Sequence, residues 1–344
     1  MAVAVTMKVY HADLNEAQAD LQVAALCAAG PGVTPFDRLD WLRLMADECL
    51  APARCLVAAA REGDAIAVLP LCETRDGLGA LANWYSFIAR PRFTDPSAAP
   101  RLLTAIMRSL SRTGALHVTP LPAPEATLML HAARAAGWIA RLSPADTNHV
   151  LHPGGRDFAA WWATRPGQLR ETVRRKGRKV VLRIARDFDP ADWVAYEAIY
   201  ATSWKPAEGS PDFLRRFAQA EAAAGRLRLG LASIAGVPVA AQFWTIEDGI
   251  AYIHKLAHDP AAAMHSPGTV LTHAMFAMAI DDDHVTTIDF GTGDDPYKRD
   301  WMDETRLRYR LEAYHPLAVR RWPALVKLLA KQWAKRLARP KPGG

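Results

Sequence analysis

Alternating strand and helix signals predict an α/β chain of the α+β kind, with mixed sheets and two domains in tandem. Three observations carry this. At 344 residues, half of them apolar and 23% charged, the chain is long enough for two cores of ordinary size. Strand-like and helix-like periodicities alternate from end to end. The order helix, strand, tight turn, strand occurs once in each half.

In the first half, Phe36–Met45 reads as a capped helix. Leu56–Leu71 reads as a hairpin whose turn chemistry comes from Glu62-Gly63-Asp64. Helices are expected over Pro100–Ser111 and Ala123–Ala136, with a buried strand at Gly114–Thr119 between them. Periodicity breaks at Ser143-Pro144 and at His152-Pro153-Gly154-Gly155. The expected division is therefore 1–148, 149–316 and a basic tail, 317–344. In the second half, helices near Trp193–Ser203 and Asp212–Ala224 lead into strands Leu227–Ile234, Val239–Ile246 and Ile250–Leu256. A helix follows from Pro267 through Ile280, then a strand at Val285–Phe290.

Net charge is +6, but its distribution says more. Nine Lys and Arg against Glu171 alone lie between Arg165 and Arg186, and eight more with no acid lie between Arg320 and Gly344. The remainder is acidic. Such patches attract phosphate-bearing partners: nucleic acid, anionic lipid or a phosphorylated cofactor. Leu169 and Val173 anchor the first block as a thinly attached helix carrying Arg170 and Arg174. The second reads as an amphipathic helix with Trp322, Leu325, Val326, Leu329, Trp333 and Leu337 on one face. It is expected to pack on the body, with peripheral membrane contact as the alternative.

No apolar run approaches the length of a spanning helix, and the N-terminus lacks a basic start before a hydrophobic stretch, so a cytoplasmic protein is expected. Cys27, Cys49, Cys55 and Cys72 lack metal-knuckle spacing and read as reduced, buried thiols. His254, His258, His265 and His273 with Asp281–Asp283 have no ligand spacing, so no metal is expected. Gly291-Thr292-Gly293 is followed by two acids, which is wrong for a dinucleotide pyrophosphate.

The chemistry concentrates in Ala251–Trp301. A strand and loop feed Ser266-Pro267-Gly268-Thr269 at a helix start, where unpaired amides and the positive helix end favour an anion. Pro267 forfeits no donor there, and Ser266 or Thr269 is suited to cap.

Four segments in order, Tyr252–Pro260, Ser266–Leu271, Ile288–Asp294 and Asp295–Trp301, resemble the GNAT acyltransferases of the CelD-like group, relatives of the Fem aminoacyltransferases. Leu169–Lys179 is similar to the arginine-rich helix that opens their C-terminal domain, and Phe36–Leu42 and Ala67–Leu71 resemble their N-terminal half. The resemblance implies tandem GNAT-like domains, with an acyl thioester on the second. It sets Ser266, Pro267, Gly268, Thr269 and Val270 against the donor pyrophosphate. The Arg/Gln-x-x-Gly-x-Gly/Ala loop of ordinary GNAT enzymes is reduced here to Met264–Thr269, which admits acyl carrier protein or aminoacyl-tRNA as donor beside acyl-CoA.

Acyl transfer to an amine needs a free nucleophile, a polarised carbonyl and a proton for the leaving thiolate. Tyr297 is the expected proton donor. Lys298 is expected to offset anionic charge, and Asp289 to orient the amine or act as base. Lys255, Arg170 and Arg174 are the expected substrate-binding residues. The function expected is acyl-CoA-dependent N-acylation of a small-molecule or sugar-linked amine, in polysaccharide or envelope synthesis. The alternatives are a Fem-like transferase using charged tRNA and a non-catalytic GNAT-like scaffold.

Overall fold

The computed structural model describes residues 6–319 together with 322, 323 and 326. The expected amphipathic C-terminal helix therefore lies almost wholly outside the described residues. The elements run β1 (Lys8–Ala12), α1 (Leu14–Ala19), α2 (Leu21–Leu26), α3 (Leu39–Met45), β2 (Cys55–Glu62), β3 (Ala65–Thr74), β4 (Gly77–Ala80), β5 (Arg92–Phe93), α4 (Ala99–Ser109), β6 (Ala115–Leu121), α5 (Ala123–Ala135) and β7 (Ile139–Leu151). They continue with α6 (Phe158–Ala163), α7 (Gly167–Lys176), β8 (Val181–Ala185), α8 (Pro190–Thr202), α9 (Pro211–Ala223), β9 (Leu227–Ile234), β10 (Val237–Glu247), β11 (Ile250–His258), α10 (Pro267–Ala277), β12 (Thr287–Thr292) and β13 (Glu304–Tyr314). Among the described residues no helix is long and apolar enough to cross a membrane.

The chain forms two compact units. The first holds the residues up to Ala28, Phe36–Ala145 and the chain from Leu307; the second holds Ala29–Pro35 and Asp146–Arg306. Thus β13 groups mainly with the first unit, an exchange that a linear division of the sequence does not express. In the first unit the strand order is β1-β2-β3-β4-β6-β13, with β5 beside β3. The expected hairpin is β2–β3, paired from Cys55↔Cys72 to Glu62↔Ala65. Alternate β2 and β3 residues, Ala58, Ala60, Ala67 and Leu69, face Leu102, Leu103 and Ile106 of α4 in one core. The expected cap on the Phe36–Met45 helix is replaced by a 3₁₀ turn over Pro35–Asp37, and Arg38 precedes α3 without a side-chain cap. Asp37 instead pairs with Arg90 at 2.7 Å, both charges being withdrawn from water. All four cysteines are free. Cys27 and Cys72 are buried as expected, whereas Cys49 and Cys55 are only half-buried because they sit where the chain enters β2.

The second unit has strand order β7-β12-β11-β10-β9-β8, β7 contributing its last residues. Successive residues of β10 serve opposite faces, as the pleat requires. Phe243 meets Trp193 of α8 and Phe217 of α9, while Trp244 meets Phe276 of α10 edge-on. Helices α8 and α9 therefore cover one face and α10 the other. Behind α10, the fully buried Trp161 of α6 stacks on Phe276 at 5.1 Å between centroids. The basic helix α7 has no buried residue, as its sparse apolar positions predict.

Two local irregularities shape the site. Pairing between β10 and β11 shifts from Phe243↔Lys255 to Trp244↔Ile253, which leaves His254 as an extra residue in a β-bulge. The parallel pairing of β11 with β12 is confined to Ile250↔Thr287 through Tyr252↔Asp289, although β11 continues to His258 and β12 to Thr292. The two strands part beyond that point.

Replacing Trp161 by alanine removes a filled ring from the second core, and a loss of about 3–5 kcal/mol is expected. Urea unfolding of the variant checks it through the shift in midpoint.

Candidate active site

A hollow of about 370 Å³ opens where β11 leaves β12. Its walls come from β10 and β11 (Gln242, Leu256, His258), the start of α10 (Ser266–Thr269, Thr272), Leu169 of α7 and the turn after β12 (Tyr297, Asp300). The sequence elements expected to meet do meet: Ser266, Pro267, Gly268, Thr269 and Tyr297 line one cleft.

The start of α10 has the features of an anion site. Ser266 stands just before the helix with φ 48°, in the left-handed region, and its side chain does not cap. That conformation costs a non-glycine residue about 1–2 kcal/mol. The expected capping role of Ser266 or Thr269 is thus corrected. The Ser266 hydroxyl instead accepts a hydrogen bond from Lys176 Nζ at 2.8 Å. The first intrahelical bond is donated by Val270 to the Ser266 carbonyl, which leaves the Gly268 and Thr269 amides at the mouth of the helix. A β-carbon on Gly268 would lie 3.4 Å from His258 Nδ1, so glycine keeps this approach open. The turn is fixed from behind: the Gly268 carbonyl accepts from Thr272 Oγ1 at 2.8 Å, and Gln242 Nε2 donates to the same hydroxyl oxygen at 2.6 Å. Trp244 Nε1 donates to Gln242 Oε1 at 2.9 Å and holds that amide in register. These residues fit a phosphorylated group: donors converge and a cation stands by.

Val270 does not join them. Its side chain is buried in the core behind α10, because the helix turns it away from the mouth.

Tyr297, 40% exposed as a residue, packs its ring edge-on against Phe290. Burial around the phenol, and next the Asp295 carboxylate, hold its pKa above the ordinary tyrosine value. It therefore stays protonated across the working range. His258 lies under Trp204, ring centroids 4.5 Å apart. Burial pushes its pKa below the ordinary histidine value, Asp259 opposing and Lys205 adding to the shift, so it stands neutral at pH 7.

The other expected site residues are placed elsewhere, each for a physical reason. Lys298 is 3% exposed. Its ammonium donates to the carbonyls of Phe290, Thr292 and Gly293, so it pins the loop after β12 and does not face the cleft. Asp289 accepts from Asn148 Nδ2 at 2.7 Å and from the Gly291 amide at 2.8 Å, and it holds the same loop. Lys255 turns to the α8 face because the His254 bulge reverses the alternation of β11. Its ammonium pairs with Glu208 at 2.7 Å and sits 5.0 Å from the centre of the Tyr200 ring. Arg170 donates to the Arg165 carbonyl and Arg174 pairs with Glu171 at 2.7 Å; neither lines the hollow. The cation of this helix that touches the cleft wall is Lys176, at the end of α7, through its bond to Ser266 Oγ. In the sequence, His258 is weighed only as a metal ligand and Lys176 only as part of the basic helix, and neither Gln242 nor Asp300 is singled out; the spacing of Lys176 from Leu169 on one helical face is a usable signal. Among the described residues no three His, Cys, Asp or Glu side chains converge on a metal-sized site.

Residues 163–299 match the family model described as an acetyltransferase (GNAT) domain. No match was found among curated proteins. Among solved structures, FemX superposes with a TM-score of 0.59 at 10% identity, over 89% of this chain and 96% of that one. A tandem GNAT protein from the clavulanic acid biosynthesis pathway gives 0.55 at 13%, over 90% and 98%. L-PGS from Bacillus licheniformis gives 0.54 at 12%, over 90% and 99%. At such identities the likeness is one of fold. The expected fold class, mixed α/β with GNAT-like units in tandem, is borne out, and so is the acyltransferase class.

Because folding lowers the His258 pKa, the native state binds fewer protons than the unfolded state below about pH 6.5, and stability falls as pH drops through that range. His258→Gln is expected to flatten this dependence between about pH 7 and 5, as followed by thermal unfolding at each pH.

Proposed function

We propose that the chain is an acyl-CoA-dependent N-acyltransferase acting on an amine of a small-molecule or sugar-linked acceptor. The observation that carries the reading is the uncapped start of α10 at Ser266–Thr269, sharing one cleft with Tyr297. In this reading the Gly268 and Thr269 amides and the Lys176 ammonium hold the donor's diphosphate. Tyr297 passes its hydroxyl proton to the departing sulfur, and neutral His258 takes the proton that the acceptor amine must lose. Lys298 and Asp289 act at one remove, by keeping the turn that carries Tyr297 in place. The order of the four motifs from Tyr252 to Trp301 supports the CelD-like assignment and, with it, a place in polysaccharide or envelope synthesis. An acyl-CoA donor implies work in the cytoplasm.

Calorimetry with acetyl-CoA and longer acyl-CoA species tests the donor. A saturable heat that Gly268→Val abolishes is expected; no heat with any acyl-CoA counts against the proposal. Tyr297→Phe is expected to lower thiol release by about 10²–10⁴-fold, the usual worth of a positioned acid, with little change in donor affinity.

The second reading is a Fem-like transfer from charged tRNA. It is favoured by the exposed Arg175, Arg178 and Lys179 beside the cleft-lining helix, and by the FemX fold. Phosphate contacts of this kind weaken with salt. In a filter-binding titration from about 50 to 200 mM salt, tRNA affinity should then fall by orders of magnitude. A flat response removes this reading.

A further inference from the structure

On the α8 side of the second unit, a hollow of about 570 Å³ is lined by Tyr196, Tyr200, Lys205 and Glu208 among others. Lys205 belongs to this wall, whereas the preceding residue, Trp204, lines the donor cleft. The segment after α8 thus carries one residue into each. The Lys205 ammonium lies 5.8 Å from the centre of the Trp204 ring. Charged or titratable groups face it from three elements: Glu208 on its own segment, Lys255 and His258 on β11, and Asp295 and Lys298 on the turn after β12.

Three lysines therefore share this end of the sheet, and they differ in how they are held. Lys255 is neutralised by Glu208, and Lys298 is occupied by loop carbonyls. Among the described residues the Lys205 ammonium has neither an ion-pair partner nor a hydrogen-bond acceptor; only its backbone amide is bonded, to Ser203 Oγ. A half-buried ammonium with no direct ion-pair partner, near two others, favours its neutral form. Burial and then the repulsion of Lys255 and Lys298, against the weaker pull of Asp295 and Glu208, bring its pKa down to about 8. About a tenth of it is free amine at pH 7, against roughly 0.04% for an ordinary lysine.

We propose that Lys205 is itself an acyl-accepting site: in the absence of an acceptor amine, its Nζ takes the acyl group from the thioester held in the cleft that its neighbour Trp204 lines. The proposal rests on the acyl-CoA reading above. In the step, the unprotonated Nζ attacks the thioester carbonyl carbon, a C–N bond forms as the C–S bond breaks, and the proton lost by nitrogen goes to the sulfur. The products are an N-acyl-lysine and free coenzyme A thiol; no oxidant or further reactant is needed. Acylation removes the unpaired charge and its repulsion of Lys255 and Lys298.

The test uses the full chain with acetyl-CoA and no acceptor. Peptide mapping by mass spectrometry is expected to find a single acetyl group on Lys205, at least about tenfold ahead of the exposed Lys179, a margin well inside the roughly 200-fold difference in free amine. Excess free coenzyme A should suppress the label, and Lys205→Arg should lose it while still giving the acetyl-CoA binding heat. Binding heat without label on Lys205, or label spread evenly over surface lysines, overturns the proposal alone. Absence of any binding heat overturns the donor reading, and the proposal with it.

Discussion

The second unit is organised around a helix that begins with its first amides unclaimed. Hydrogen-bond donors at a helix start must be met by a side chain, by water or by a ligand. In α10 the residue best suited to cap, Ser266, is twisted into a left-handed conformation and its hydroxyl is engaged by Lys176. Everything beneath is built to keep that start in place: Thr272 and Gln242 grip the Gly268 carbonyl region, and Trp244 grips Gln242. The result is a rigid collar whose electropositive side opens into a cleft. A folded protein tolerates such an arrangement when binding a negative group recovers its cost.

The strands complete the collar by diverging. Where β11 and β12 cease to pair, backbone that would lie inside a sheet becomes the floor and side of a hollow, and the chain supplies Leu256, Ala257 and His258 there. The bulge at His254 decides which residues these are. One added residue sends Lys255 to the aromatic face under α8 and brings Leu256 opposite Gln242. An apolar side chain thereby replaces an ammonium in the cleft wall. On the far side of β12, Lys298, Asp289 and Asp146 hold the glycine-bearing loop by its carbonyls and amides. That loop sets the position of Tyr297, so the charged residues act as scaffolding for the aromatic one.

Much of this was legible in the sequence, for identifiable reasons. The β2–β3 hairpin and the helices α4, α5, α8 and α9 follow from local periodicity and turn chemistry, which need no knowledge of distant partners. The helix starting at Pro267 was legible because proline and glycine have few other uses at that spacing. Strands β7 and β13 were not. Pro144 interrupts the alternation of β7, and the charged Glu304–Arg310 run masks β13, whose pairing comes from residues about 190 positions away. Within the site, Tyr297 and Ser266–Thr269 could be placed, while Lys255, Lys298 and Asp289 could not. A bulge and a buried ammonium are decided by tertiary register, and sequence spacing carries no record of either.

The left-handed serine has a further consequence, for how this protein is able to change over generations. Glycine or asparagine at position 266 would relax the backbone there, so drift toward greater robustness has an easy path open to it. Taking that path gives up the hydroxyl that anchors the end of the basic helix beside the cleft. A lineage that retains serine at this position is trading durability for the poise of a single lysine.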